Sequence, residues 1–234
     1  MKRHLLRLAG LWLLCLLALQ LFFALRVASM LLVDPQSTAF QRSEAWRLIV
    51  QQHRLLWSQD WVPDARLGDA IKRAAIASED TNFSEHNGIE WDSIERAWQH
   101  NQGLAERPSK RAKVIGGSTI SQQLAKNLWL SGERSFVRKG QEFVITMMLE
   151  GLLGKRRILE IYLNNVEWGE GVFGAQAAAR HYFHVDALRM GNEQAARLAV
   201  MLPAPKRFEK RPSSPYIVGR AATIVARMGM VELP

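Results

Sequence analysis

The chain has 234 residues, 48% of them apolar, a formal net charge of +9 and a single cysteine. That length and apolar content suit one well-packed domain with attached elements and exclude a disordered tail. The lone Cys15 sits inside an apolar run, which excludes a disulfide framework and a cysteine-based metal site.

Lys2, Arg3, His4 and Arg7 precede "LAGLWLLCLLALQLFFAL", Leu8 to Leu25, a stretch without a charged residue. As a helix this stretch is roughly 27 Å long, close to the hydrocarbon thickness of a bilayer. Arg26 can snorkel to the far interface, and the apolar pattern continues through Val33. A single transmembrane anchor over 8–33 is expected, with residues 1–7 in the cytoplasm because basic residues concentrate before it. A cleaved signal peptide is the alternative, but "RVASM" is a poor small-residue cleavage site.

Residues 34–64 read as a membrane-proximal linker and first helix. Beyond them almost every periodic stretch reads as helix, and no run reads as a strand. Ile71, Ala74, Ala75 and Ala77 form one helical face that leads to Glu79, and Ile89, Ile94, Ala97 and Trp98 sketch a helix after Gly88. The segment 101–117, rich in Gly, Pro and charge, breaks the pattern and is expected to be a mobile loop or lid. Thr119 and Gln122 fit a capping box for a helix that Gly132 can end. Further helices are expected at about 135–153, 155–165, 175–183 and 193–201, with Ser214 before Pro215 opening a last one.

Glu79 follows Ala75 by four residues and Ile71 by eight, so it continues the apolar face. A carboxylate partly withdrawn from water is a better base, whereas a frayed helix end would leave it fully solvated; phase alone leaves both readings open. Asp80 points about 100° away and can cap or orient the turn after the helix. Glu142 lies four residues after Arg138 and three after Lys139, a spacing that fits either an ordinary surface ion pair or two cations held for a diphosphate. Gln123, Lys126 and Asn127 form a polar stripe that can bond sugar hydroxyls or phosphates. His181 and His184 are three apart but lack a third ligand, so no histidine metal site is expected. His86 is expected to fix the loop after Glu79.

Basic residues cluster at Arg107 to Lys113, Lys155 to Arg157 and Lys206 to Arg211. Nucleic acid is excluded as a partner of an exported, tethered domain, while anionic headgroups and pyrophosphates remain natural partners beside plain solvated surface.

The blocks "EDTNFSEHNG", "GGSTISQQLAKN", "RKGQE" and "KRRILEIYLNNVEWGEGVFGAQAAARHYF", followed by "RLAVMLPAP", resemble in order the signature blocks of the peptidoglycan glycosyltransferases, glycosyltransferase family 51. The likeness spans about 65–210. It implies a mainly α, lysozyme-like domain over 65–234, with a large lobe and a small membrane-associated lobe. It also implies an inner-membrane enzyme with a periplasmic catalytic domain. The implied substrate is lipid II, added to a growing lipid-linked glycan strand with inversion and release of undecaprenyl diphosphate.

By the same resemblance Glu79 is the general base, with Asp80, Phe83 and His86 supporting it, and Arg138 and Lys139 receive the diphosphate. Glu142 positions those cations or assists the leaving group, while Gln123, Lys126 and Asn127 contact substrate in a block shaped by Ser118 and Thr119. Membrane lipids and cell-division or elongation proteins are the implied partners. No cofactor is required by the sequence, though relatives allow a divalent metal, Mg or Mn, at the diphosphate. Neither S-x-x-K nor K-T-G occurs, so no transpeptidase activity is expected. Glu90 stands where the family commonly has Asp. A hydrolase or lytic transglycosylase and a catalytically silent scaffold are the rival readings.

Overall fold

The computed structural model describes residues 2–106, 117–130, 132, 133 and 135–234. It begins with α1, Lys2–Ser29, the one helix among the described residues long and apolar enough to cross a membrane. Most of α1 is exposed, but its last turns are not free of the domain: Phe23, Val27 and Met30 join the main core. Phe23 meets Trp129 edge-on at 5.9 Å, and Gln20 and Gln141 exchange two hydrogen bonds of 2.9 and 3.1 Å.

Helix α2, Ala39–Gln52, opens on a capping box between Thr38 and Gln41. The short strand β1, Ser58–Gln59, and the single turn α3, Asp64–Leu67, lead into α4, Asp69–Glu79. There Ile71, Ala74, Ala75, Ile76 and Ala77 are all buried, so the apolar face read from the sequence is the packed one. Helix α5 is Trp91–Glu106, α6 is Ile120–Trp129, α7 is Phe136–Leu152 and α8 is Lys155–Asn165. Strands β2, Glu167–Gly169, and β3, Val172–Phe173, come next, then α9, Ala175–Phe183, and α10, Asn192–Met201. The turn α11, Pro205–Phe208, and α12, Pro215–Met228, close the domain.

The mainly α expectation holds, with two corrections. A small sheet exists, in the order β1-β3-β2, with β1 parallel and β2 antiparallel to β3. Its strands are only two or three residues long, too short for an alternating pattern to announce them; β2 and β3 pair locally, while β1 joins β3 from more than a hundred positions away. The second correction is that α5 runs on to Glu106, through the start of the segment expected to be a loop. Residues 107–116, and with them the rest of that expected lid and its basic cluster, lie outside the described residues.

The helices group around two seams. α4, α10 and α12 pack together, and α6 packs on α7, α8 and α2, with α1 laid on α7. Asn164 at the end of α8 joins the groups' edges: its side chain takes the Val62 N–H and returns a bond to the Val62 carbonyl, both at 2.9 Å. Three members of the later basic clusters pair inside the molecule, whereas Arg156, Arg207, Lys210 and Arg211 are exposed. Lys155 pairs with Glu150, and Lys206 with Glu44 at 2.5 Å. Arg157 binds Asp34 at 2.7 Å, Glu160 at 2.9 Å and the Met30 carbonyl. Burial opposes the charge on Arg157, but Asp34 and Glu160 outweigh it and hold the guanidinium more firmly protonated than usual.

Candidate active site

Glu79 is the last residue of α4 and is half-buried. It lines an open cleft of about 900 Å³ together with Ser78, Ser118 and Gln123, faced by Val200 and Pro203 and by residues of α12. Gln123 Nε2 donates to Glu79 Oε2 at 2.9 Å, and Tyr162 Oη donates to Gln123 Oε1 at 3.1 Å. The amide expected to meet a sugar therefore also holds the carboxylate.

The turn after Glu79 is built around Asp80, which is buried. Its Oδ2 accepts the Ile120 N–H at 2.9 Å, meeting the exposed donors at the start of α6, and its Oδ1 lies 2.8 Å from His86 Nε2. His86 Nδ1 accepts the Gly88 N–H at 3.0 Å, so the ring proton sits on Nε2 and is donated to Asp80. Phe83 is fully buried and carries the Lys155 ammonium 4.5 Å above its ring. Thr119 caps α6 through Gln122 and donates its own hydroxyl to the Gly88 carbonyl at 2.7 Å. Gly88 has φ +82°, and a Cβ there would stand 2.7 Å from Glu150 Cγ and 2.8 Å from Thr146 Cγ2. Only glycine lets the loop pass so close to α7.

One turn beyond Gln123 on α6 lies Lys126, half-buried, with Asn127 next to it. Near Lys126, α7 brings Arg138 and Lys139 onto Glu142, whose oxygens are divided between them: Arg138 Nη1 on Oε2 at 2.5 Å and Lys139 Nζ on Oε1. Glu142 itself is buried. Burial pushes the Lys126 ammonium below its ordinary pKa; Glu142 opposes that shift, and Arg138 and Lys139 reinforce it. Three cations share one carboxylate here, a charge excess that an incoming diphosphate would relieve.

A family model described as Transglycosylase matches residues 49–229. The chain is 53% identical over 201 residues to the biosynthetic peptidoglycan transglycosylase of Bordetella pertussis, covering 86% of this chain and 82% of that protein. It is 50% identical over 227 residues to the protein of the same name from Burkholderia thailandensis, covering 97% and 84%. With the Bordetella avium protein of that name it shares 48% over 236 residues, 99% of this chain and 98% of the relative.

The chain belongs to the transglycosylase family.

Two groups that line the cleft of this transglycosylase, and one buried residue behind it, carry no motif of their own in the sequence. Tyr216, Arg220, Thr223 and Arg227 form one stripe of α12 on the cleft, at spacings of four, three and four that the helical period makes legible. His100 reaches the cleft from α5. Tyr162 was readable only as an inward-facing core residue, because the partner of its hydroxyl depends on how α8 meets α6.

Among the described residues no three His, Cys, Asp or Glu side chains are grouped to hold a metal ion. Among the described residues, the carboxylate that faces Lys126, Glu142, has both oxygens on cations and does not fit as a ligand of a divalent cation. His184 ends α9 in the left-handed conformation, and His181 meets Tyr182 edge-on at 4.6 Å.

Proposed function

We propose that this transglycosylase polymerises lipid II, the undecaprenyl-pyrophosphoryl disaccharide-pentapeptide, into β-1,4 glycan strands for the cell wall. The growing lipid-linked strand is the donor and lipid II the acceptor. Glu79 takes the proton from the acceptor 4-hydroxyl as that oxygen bonds to the donor C1, from the face opposite the departing group. The C1–O bond to the diphosphate breaks, its electron pair leaves with undecaprenyl diphosphate, and configuration inverts. Lys126, Arg138 and Lys139 receive the developing negative charge. Glu142, clamped by two of those cations, sets their position and does not exchange a proton.

The observation that carries this reading is the adjacency on α6. Gln123 holds Glu79 at the cleft, and Lys126, one turn along the same helix, stands with the excess of positive charge on α7. The usual two-carboxylate hydrolase needs a second free carboxyl group beside its acid, and Glu142 is committed to Arg138 and Lys139.

The exposed apolar helix α1 supports a single-pass anchor in the inner membrane. Lys2, Arg3 and Arg7 in its first turns, ahead of the apolar run, favour a cytoplasmic N-terminus with the domain on the periplasmic side. The absence of S-x-x-K and K-T-G motifs supports glycan polymerisation without transpeptidation. Full-length protein incubated with lipid II in detergent should yield lysozyme-sensitive polymer; release of muropeptides from finished sacculi without polymer would overturn the reading.

A further inference from the structure

Tyr162 is completely buried in α8, and its hydroxyl donates to a side chain on α6. The receiving amide of Gln123 passes the interaction on to Glu79 on α4. Three helices thus contribute one hydrogen-bonded chain that runs in a single direction, O–H to C=O and N–H to carboxylate.

The direction has consequences because an amide has one accepting and one donating end. Rotated by half a turn, the Gln123 amide would set its carbonyl oxygen against the Glu79 carboxylate, an arrangement that disfavours the ionised acid. Burial pushes the Tyr162 hydroxyl well above its ordinary pKa, with Glu79 and Asp80 adding to the shift, so this group keeps its hydrogen at any working pH. A donor fixed at that place selects the amide orientation in which N–H faces Glu79.

We propose that Tyr162 is a positioning residue for glycosyl transfer: by fixing the Gln123 amide it keeps Glu79 aimed and in its proton-accepting form. The proposal rests on the reading of Glu79 as the base. Tyr162 has no exposed surface for substrate, so its effect travels through Gln123. Among the described residues, the ionisable groups that touch this chain or line the same cleft include Asp80 with its partner His86, His100 from α5, and Tyr216, Arg220 and Arg227 from α12, with Lys126 one turn along α6. All of them remain in a Tyr162→Phe variant, so a change in its pH profile reports the lost hydroxyl.

The test is the pH dependence of kcat/KM for lipid II polymerisation by full-length Tyr162→Phe, Gln123→Ala, the double variant and Glu79→Gln. In Tyr162→Phe the acid limb is expected to move up by about 0.5–1 pH unit, with a loss of about three- to tenfold on the acid side and a smaller loss on the plateau. Gln123→Ala should move the limb in the same direction, and adding Tyr162→Phe to it should change nothing further. A uniform loss at every pH with the limb in place, or independent effects of the two substitutions, would overturn the proposal. If Tyr162→Phe does not fold, an unmoved limb in Gln123→Ala overturns it equally. Glu79→Gln separates the two readings. An inactive Glu79→Gln with an unmoved limb in Tyr162→Phe defeats only the positioning role, and an active Glu79→Gln defeats the base itself.

Discussion

Asp80 Oδ2 accepts the Ile120 N–H at 2.9 Å, so the residue next to Glu79 holds the first turn of the helix that carries Gln123 and Lys126. One carboxylate thereby fixes the distance between the proposed base and the groups that serve it. Its other oxygen takes His86, and His86 takes Gly88, which makes the loop after α4 a closed polar circuit.

Breaking that circuit should cost stability as well as rate. Asp80→Ala leaves the His86 ring and the start of α6 without their acceptor in a buried place, for a loss of about 2–4 kcal/mol. Gly88→Ala should destabilise by a similar amount, through positive φ and collision with Glu150 and Thr146. Denaturant melts of the two variants check both; a change below about 0.5 kcal/mol in either would contradict the role given to the circuit.

The cations on α7 should separate binding from folding. Lys139 is exposed and its main contact is Glu142, so Lys139→Ala is expected to leave the melting temperature within about 2 °C while lowering kcat/KM by roughly 10- to 100-fold. Steady-state kinetics beside a thermal melt decide it. An unchanged kcat/KM would remove Lys139 from the diphosphate site.

Lys126 should confer an alkaline limit on donor binding. Its folded pKa lies below the ordinary lysine value, chiefly through burial, so it loses its charge at lower pH than an exposed lysine. A diphosphate favours the charged form, and affinity for the donor should fall as pH rises through that depressed pKa. Lys126→Arg, which stays charged, should carry donor affinity to higher pH. Equal alkaline loss in both proteins would contradict this.

Glu167 offers a stability test away from the cleft. Burial raises its pKa to about 7; Lys206 opposes the shift, and Glu44 and Glu209 add to it. Its Oε1 makes no hydrogen bond, and the nearest cation, Lys206 at 3.5 Å, is engaged by Glu44. Because the folded pKa exceeds the unfolded one, the stability linked to this proton is fully present below about pH 4.5 and is lost as pH rises through about 7. Glu167→Gln should therefore melt several degrees higher than the parent at pH 8, with the gap closing toward pH 4.5. A gap that is constant with pH would contradict the assignment.

Helices with local signals were legible in the sequence. The Thr119–Gln122 box, the Ser214–Pro215 start and the apolar face of α4 are each written within one or two turns, and each occurs where its pattern places it. The sheet was not legible, because β1 exists only where the distant β3 pairs with it and β2 and β3 are too short to show alternation. The course of α5 past Asn101 was misread because a single Gly103 among polar residues does not stop a helix. In the site, the phase of Glu79 and the Arg138, Lys139 and Glu142 spacing could be read directly. The bond from Gln123 to Glu79 could not, since it joins residues 44 apart through the docking of two helices. The α12 stripe follows the helical period, but no motif marks it.

The central claim is that Glu79 is the base of glycan polymerisation, and lipid II turnover by full-length Glu79→Gln tests it most directly. The substitution keeps the side chain's shape and removes its capacity to take a proton. The rate is expected to fall by roughly 100-fold or more, with helicity and melting temperature close to those of the parent. Polymer made at the parental rate by a folded Glu79→Gln protein would contradict the account.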